Sequence, residues 1–397
     1  MNPRKTAFLV IQGLSSQKPL EPTDSFTRGL VASLHKSDPK TNINLAHRLG
    51  ARAGEAGACV RIGIEGEQPI DVYEYYWADM TAGRASISTV IDWLLAASDG
   101  AKAFYETHPE LINSNERPIL SAFRNNIMET NWYLARIGGL FRAFALVDQV
   151  FPANQWIRLS GVLKAVLMPV LGFLHRQLAN VLVAYLGDAA VYTQTDGNRT
   201  ASGAREEVLS HSLAKLEAIL QSPEAYERVI IAGHSLGSVI AYDTINRLVQ
   251  HINAKPDALP VEAHRRLKGL ITFGSPLDKV AFLFRFRSKG NDYVRRQLIG
   301  QRHCFRASDL DVSGYKRDDM VLDNPYCVHL DDQVVWINYW DARDIVSGHL
   351  DFYRVNENVQ CEISGHRVET HEHYWDYMPM YDDILRRFLS SGAEFGA

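Results

Sequence analysis

The sequence predicts an α/β fold in which helices flank a mostly parallel central sheet. Short, almost continuous apolar runs alternate with longer segments whose apolar residues recur at helical spacing. Continuous apolar runs are typical of strands buried on both faces, and strand–helix alternation favours right-handed crossovers between parallel strands. The chain has 397 residues, of which 46% are hydrophobic. This length and composition favour a single large fold with an insertion, or two lobes.

The N-terminal part of the chain begins with a predicted strand, Thr6–Ile11, an apolar run of six residues. A polar segment rich in Ser, Lys, Pro and Thr follows to about Asp24 and is expected to be a surface loop. A helix is expected over Phe26–His35. Two β-rich runs, Ala58–Ile64 and Ile70–Trp77, are separated by turn-forming residues and predict two further strands.

The middle of the chain has a different pattern, because long helical periodicities replace the β-branched runs. We therefore predict an α/β core formed by residues 1–80 and 187–397, with residues 81–186 as a helical insertion or cap. Its most apolar stretch, Leu159–Tyr185, contains charged residues and a proline, so no uncharged run reaches the about 18–20 residues that cross a bilayer. A helical subdomain with its own core is favoured over a lid or a membrane-surface element, although the two are compatible.

The α/β alternation resumes after Gly187. Leu209, Leu213, Leu216 and Leu220 share one helical face and predict a helix over Arg205–Gln221. The remaining predicted elements are the strand Val229–Ala232, the helix Leu236–His251, the strands Leu267–Phe273 and Val334–Tyr339, a β-hairpin over Gln360–Val368 and the helix Tyr381–Leu389.

A Gly-x-Ser-x-Gly motif, formed by Gly233, Ser235 and Gly237, lies between a predicted strand and a predicted helix. By average residue usage, about one chain in ten of this length contains the pattern by chance. The strand–turn–helix context, however, is the one in which such a serine acts as a nucleophile. The sharp turn exposes the hydroxyl, and side chains at the two glycine positions would collide with neighbouring elements. A serine that only caps the helix would not need these glycines.

A nucleophilic serine needs a histidine as base and an acid that orients the histidine. In this architecture the acid and the histidine follow the serine in the chain. Asp344 is the best candidate acid, because it follows the predicted strand Val334–Tyr339 at the edge where parallel α/β sheets carry their sites. Asp341 and Asp278 are alternatives, and each could instead be a loop aspartate that caps a helix.

The histidines that follow Asp344 are His349, His366, His371 and His373. His349 is too close to Asp344 in the chain to approach it from another loop, and His366 is assigned to the predicted hairpin. His371 and His373 lie in a predicted loop before the last helix, which is where the base is expected. The residue pattern alone does not decide between these two.

An oxyanion hole would need two backbone amides that point at the developing negative charge. The amide of Leu236, directly after Ser235, is one candidate. The amide of Leu14 is the other, because Gly13 permits a turn after the first strand. This chemistry requires neither a metal nor an organic cofactor.

The charge and cysteine content exclude several classes of protein. Lys and Arg (42) and Asp and Glu (46) leave a net charge of −4, so no basic excess supports nucleic-acid binding. Cys59, Cys304, Cys327 and Cys361 are scattered without a CxxC pair, which argues against a zinc site or a disulfide scaffold. The apolar run after Lys5 is too short for a secretion signal. These features favour a cytoplasmic protein, with peripheral membrane contact through the insertion as a further expectation.

At these motifs the chain resembles the α/β-hydrolase superfamily, and more narrowly its lipase-like serine esterases, over residues 6–80 and 187–389. The segment Gly233–Gly237 is similar to the lipase elbow, and Phe273–Leu277 is similar to the segment after the next strand. Asp344-Ile-Val346 resembles the acid loop of these enzymes. His371-Glu-His-Tyr-Trp375 resembles a signature whose first histidine is catalytic, which favours His371. Gln12 departs from the histidine that commonly precedes the oxyanion glycine.

The resemblance implies a serine hydrolase that cleaves carboxylic esters through an acyl-enzyme, with Ser235, Asp344 and His371 as the catalytic residues. A lipidic or long-chain acyl substrate is favoured by the apolar insertion and by the aromatic–basic strip Phe282–Arg287, although that strip could equally be a partly buried connection. The alternatives are a thioesterase, amidase or peptidase with the same triad, or a catalytically silent interaction protein on the same fold.

Overall fold

The computed structural model describes residues 4–13, 18–50, 56–80, 87–112, 188, 190–193, 199–255, 257, 259–287, 330, 333–344, 346–364 and 367–390. Most of the predicted insertion, including Leu159–Tyr185, lies outside these residues. The predicted division into a core (1–80 and 187–397) and an insertion (81–186) therefore stays a prediction.

Eight strands of the described part form one sheet, in the order β2-β3-β4-β1-β5-β6-β7-β8. In chain order the strands are Thr6–Ile11 (β1), Ile43–Arg48 (β2), Cys59–Ile64 (β3), Ile70–Tyr75 (β4), Arg228–His234 (β5), Leu267–Phe273 (β6), Val335–Trp340 (β7) and Glu357–Gln360 (β8). The β2–β3 and β3–β4 pairings at one edge are antiparallel, and β4, β1, β5, β6, β7 and β8 run parallel. The predicted α/β class with a mostly parallel sheet is confirmed.

Helices cover both faces of this sheet. They are Glu21–Ser37 (α1), Ile87–Thr107 (α2), Arg199–Leu220 (α3), Leu236–Ala254 (α4), Val261–His264 (α5), Leu277–Arg287 (α6), Arg367–Glu372 (α7) and Met378–Ile384 (α8). Short 3₁₀ turns occupy Ala78–Met80, Pro109–Leu111 and His373–Asp376, and a π-helical turn, Leu385–Leu389, extends α8.

The core forms two apolar layers, because alternate side chains of each buried strand point to opposite faces. On β1, Leu9 packs in the layer that includes residues of α2, α3, α4 and α6. Its neighbour Val10 packs in the layer that includes α1 and α8. Since every residue of β1 and β5 is buried, these strands form the rigid centre from which the chain enters the candidate site.

Strand β2 was not predicted from the sequence. Its residues are exposed, apart from the half-buried Ile43, so the segment shows no apolar face. Among the strands that the structure describes, it pairs only with β3 and lies at the end of the sheet. An edge strand without a buried face leaves no hydrophobic period in the sequence.

Three local predictions were wrong. The predicted loop up to Asp24 already contains the start of α1, which begins at Glu21 with a proline in the first turn, where a missing N–H costs no helical bond. The predicted hairpin Gln360–Val368 does not form, because β8 ends at Gln360 after pairing in parallel with β7. The predicted loop over residues 370–375 is the end of α7 followed by a 3₁₀ turn.

The aromatic–basic strip Phe282–Arg287 belongs to helix α6 and is not an irregular connection. Phe282 is fully buried, and its ring centroid lies 5.3 Å from that of Phe104 on α2, so Phe282 is part of the hydrophobic core. The side chains of residues 283–287 lie outside the described set. Among the described helices, none combines the length and the apolar character needed to cross a bilayer.

Candidate active site

Ser235 lies at a one-residue turn between strand β5 and helix α4. Its backbone has φ = 50° and ψ = −127°, a conformation that a residue with a side chain rarely adopts. Such strain costs on the order of 1–3 kcal/mol and is held only where the surroundings enforce it. Here the N–H of Ser235 donates to the carbonyl of Phe273 on β6 (3.0 Å), and its own carbonyl accepts from the N–H of Ser238 (3.0 Å).

The two glycines of the motif are required by close backbone packing. A Cβ on Gly237 would lie 2.3 Å from the carbonyl oxygens of Ile11 and Gln12 at the end of β1. A Cβ on Gly233 would lie 2.5 Å from the carbonyl oxygen of Gly237. Real Cβ atoms essentially never show such distances, so glycine at 237 lets the turn approach β1, and glycine at 233 lets the first turn of α4 pack against the end of β5.

Three of the predicted residues form a continuous series of hydrogen bonds. The Nε2 of His371 lies 2.8 Å from the Oγ of Ser235, and the Nδ1 of His371 lies 2.8 Å from Oδ2 of Asp344. All three side chains are almost completely buried. Because an ionised carboxylate only accepts hydrogen bonds, Nδ1 carries the proton, and the lone pair of Nε2 faces the serine hydroxyl. This arrangement can remove a proton from Ser235.

Asp344 is held as a carboxylate. Burial alone would raise its pKa, but the electrostatic interaction with His371, the hydrogen bond from His371 and the N–H of Val346 outweigh burial and lower the pKa to about 2. The N–H of Val346 donates to Oδ1 at 2.8 Å, so both carboxylate oxygens have donors. A permanently ionised acceptor at this position fixes the tautomer of His371.

The rival acids have other partners. Oδ1 of Asp341 accepts from the N–H of Arg343 (2.8 Å), and Oδ2 accepts from the N–H of Ile363 (2.6 Å). Asp278 lies in the first turn of α6, and its carboxylate accepts from the N–H groups of Asp351 (2.8 Å) and Phe352 (3.2 Å). Asp341 therefore joins the start of the connection between β7 and β8 to the segment that follows β8, whereas Asp278 joins α6 to that connection.

The rival histidines also differ from His371 in their surroundings. The Nδ1 of His349 lies 2.7 Å from Oδ1 of Asp351 on the connection between β7 and β8. His373 is exposed, and its Nδ1 lies 3.3 Å from the carbonyl of Ser364. His366 lies outside the described residues.

The region proposed for the oxyanion is described in part. Leu14 lies outside the described residues. Leu236 is the first residue of α4, where the N–H groups of a helix have no intrahelical acceptor and the dipole is positive. A Cβ on Gly13 would lie 2.7 Å from the Cβ of Ser235, so the end of β1 lies directly against the serine.

Gln12 is fully buried beside this region. Its backbone carbonyl accepts from the indole N–H of Trp77 at 2.9 Å. Neither polar atom of its side chain has a hydrogen-bond partner in the described part of the chain. Gln12 thus brings next to the turn a side-chain amide that has no partner among the described residues.

A set of buried hydrogen bonds links the two segments that carry Asp344 and His371. The sequence pattern did not predict it. The buried Nζ of Lys279 on α6 donates to the carbonyl of Ser347 at 3.1 Å. The hydroxyl of Ser347 lies 2.9 Å from that of Tyr374, which also accepts from the N–H of Asp341 at 2.9 Å. Burial lowers the pKa of Lys279 to about 8, against the opposing effect of Asp344 and Asp278. The signal in the sequence was the charged pair Asp278-Lys279, five residues after the end of the buried strand β6.

Within the described ranges, no group of three His, Cys, Asp or Glu side chains is arranged to hold a metal ion. Comparisons of the chain with models of protein families, with curated proteins and with solved structures found no match. A functional assignment therefore depends on the residues and their geometry.

Proposed function

We propose that the protein is a serine hydrolase of the α/β-hydrolase kind, which cleaves carboxylic esters through an acyl-enzyme intermediate. The observation that carries the proposal is the hydrogen-bonded series from Asp344 through His371 to Ser235, with 2.8 Å at both contacts. Distances of this size are what proton transfer from a nucleophile to its base requires.

In the proposed reaction, the Oγ of Ser235 attacks the ester carbonyl while Nε2 of His371 accepts the hydroxyl proton. The tetrahedral intermediate collapses as the imidazolium returns this proton to the departing alkoxide, which leaves as the alcohol. Water then attacks the acyl-enzyme, with His371 accepting one of its protons and returning it to the serine oxygen. Asp344 keeps the imidazole in the required tautomer and stabilises its charged form.

The oxyanion of each tetrahedral intermediate would be stabilised by the backbone amides of Leu236 and Leu14. For Leu236 the support is its place at the start of α4, where free N–H groups and the helix dipole favour negative charge. For Leu14 the support is the position of Gly13 against Ser235. Each such donor typically contributes about 3–4 kcal/mol to catalysis.

The topology supports the same proposal. Ser235 follows β5, and Asp344 and His371 follow β7 and β8, which lie beyond β6 in the same parallel part of the sheet. The carboxyl ends of neighbouring parallel strands lie at one edge, where open α/β sheets place their sites. The chain order of serine, acid and histidine is that of α/β-hydrolases. Residues 81–186 would form the cap of such an enzyme.

For the substrate we propose a lipidic or long-chain acyl ester, on the strength of the apolar composition of residues 159–185. Phe282, which the sequence suggested as part of an acyl contact, gives no support because it is buried in the core. Peripheral membrane contact through the insertion belongs to the same proposal. Thioesters and amides would be attacked by the same residues, so substrate profiling decides among the three.

The second candidate function is a catalytically silent interaction protein on this fold. A catalytically silent protein would not need a strained serine. Ser235, however, has φ = 50°, and its Oγ lies 2.8 Å from Nε2 of His371, the proposed base. Strain that is maintained at a reactive residue favours catalysis.

The test is ester hydrolysis by the purified full chain, with p-nitrophenyl acetate, octanoate and palmitate, in the presence and absence of phosphatidylcholine vesicles. We expect turnover that Ser235→Ala abolishes, with the long acyl chains preferred. Ser33→Ala is the matched control, because this serine is similarly buried but its hydroxyl donates to Asp382 in α8. Equal turnover by Ser235→Ala and the native chain would contradict the proposal.

A further inference from the structure

His234, the residue between Gly233 and Ser235, is completely buried and makes a contact that the proposed reaction does not use. Its Nε2 lies 2.9 Å from the backbone carbonyl oxygen of His371. Its ring centroid lies 5.2 Å from that of Phe273 and 5.1 Å from that of Trp375, so aromatic rings hold it on two sides. The contact joins the strand that carries the serine to the helix that carries the base.

The direction of this hydrogen bond follows from the chemistry of its two partners. A carbonyl oxygen only accepts, so Nε2 of His234 must carry the proton and donate it. Burial, followed by the electrostatic interaction with His371, lowers the pKa of His234 to about 3, so the ring is neutral under ordinary conditions. Its Nδ1 is then an unprotonated acceptor, and in the described part of the chain it has no partner.

Gly274 shows how closely the two histidines are fitted together. Its φ is +61°, and a Cβ on it would lie 3.1 Å from Nε2 of His234 and 3.2 Å from Cε1 of His371. The ring centroids of the two histidines are 5.0 Å apart. Both imidazoles therefore pack over one glycine.

We propose that His234 is a positioning residue, whose Nε2–H holds the carbonyl of His371 so that the His371 ring meets Ser235 and Asp344 at once. The inference rests on the proposed function. It explains why the base, carried by a helix of only six residues, keeps 2.8 Å contacts on both sides. A shift of about 1 Å between reacting groups can lower a rate about 100-fold, so a single backbone anchor at this point matters.

The experiment compares His234→Gln with His234→Met in the full chain. The two side chains have similar length, but only glutamine carries an N–H donor three bonds from Cβ, as the histidine ring does at Nε2. We expect His234→Met to lose about 10- to 100-fold in kcat with KM little changed, and His234→Gln to recover most of the loss. Should the Met variant fail to fold, His234→Asn replaces it, because its donor is too short to reach the carbonyl.

A second readout is the downfield proton NMR resonance of the Nδ1–H of His371, which depends on its bond to Asp344. We expect this signal in the native chain and in His234→Gln, and its loss or broadening in His234→Met or His234→Asn. Equal kcat and equal resonances in the donor and non-donor variants would overturn the positioning role. Failure of the proposed function looks different, because the native chain would then not hydrolyse esters, while the resonance would still report on positioning.

Discussion

The Nε2 of His371 lies 2.8 Å from the Oγ of Ser235, although 136 residues separate them in the chain. The parallel sheet produces this contact. Ser235 follows β5, and the segment that carries His371 follows β8, so both leave the sheet at the carboxyl ends of their strands. The N–H of Ser235 is also bonded to Phe273 at the end of β6, which anchors the turn to the strand between them.

His371→Ala is expected to lower kcat for ester hydrolysis by at least about a thousandfold, because the serine would lose its base. His373→Ala is the matched control, since this histidine is exposed and lies two residues away. We expect the control to keep nearly native kcat. Steady-state kinetics of both variants check the prediction, and a larger loss in His373→Ala would reverse the assignment of the base.

Asp344→Asn is expected to lower kcat about 1,000- to 10,000-fold, because an amide in place of the carboxylate favours the wrong tautomer of His371. Asp341→Asn serves for comparison. The buried carboxylate of Asp341 accepts hydrogen bonds from the backbone N–H groups of Arg343 and Ile363 and from the side chain of Arg343. We expect it to cost on the order of 1–3 kcal/mol in the free energy of unfolding, with kcat largely kept. Kinetics and urea unfolding of the two variants separate these outcomes, and an active Asp344→Asn enzyme would remove Asp344 from the mechanism.

Gly237→Ala tests the packing of the serine turn against β1. The added Cβ would lie 2.3 Å from two backbone carbonyl oxygens, so we expect a loss of about 1–3 kcal/mol or more in the free energy of unfolding. In Gly203→Ala, the control in helix α3, the added Cβ meets nothing within 4 Å. That substitution is expected to stabilise the protein by up to about 1 kcal/mol. Thermal unfolding of both variants is the measurement, and equal melting temperatures would contradict the described packing.

Features that depend on local pattern were predictable from the sequence. Strands buried on both faces, such as β1 and β6, leave unbroken apolar runs, and their predicted bounds agree with the structure. The serine motif was recognisable because its glycines and its strand–helix context are local. Strand β2 was missed because its residues are exposed and carry no hydrophobic period.

Apart from the approach of the serine, the acid and a histidine, contacts between distant segments were not predictable from the residue pattern. The segment that carries His371 is short, so tertiary packing, more than helical period, decides that it forms α7 and a 3₁₀ turn. The bond from His234 to the carbonyl of His371 and the bond from Lys279 to Ser347 join segments far apart in sequence. Such pairs are defined only once the sheet order is known.

Lys279 gives a stability prediction with a definite sign. Burial lowers its pKa from 10.5 to about 8, so between these pH values the unfolded chain binds more protons than the folded protein. The free energy of unfolding therefore gains a contribution as pH rises through this window, on the order of 3 kcal/mol for a pKa shift of this size. Below about pH 8 that contribution is absent.

Denaturant unfolding at several pH values between 7 and 11 checks this prediction for the native chain, Lys279→Met and Lys102→Met. The free energy of unfolding of the native chain is expected to increase relative to that of Lys279→Met as pH rises. Lys102 is an exposed lysine on α2, and its variant is expected to follow the native chain throughout. A pH-independent difference for Lys279→Met would show that the buried amine does not titrate in this window.

We propose that Ser235 is made reactive by the His371–Asp344 pair. Covalent labelling by a fluorophosphonate, followed by peptide mapping of the full chain, tests this proposal. We predict one label per molecule at Ser235 in the native protein, strongly slowed labelling in His371→Ala and none in Ser235→Ala. Labelling of Ser235→Ala at the native rate, or no reaction of the native protein, would contradict the account.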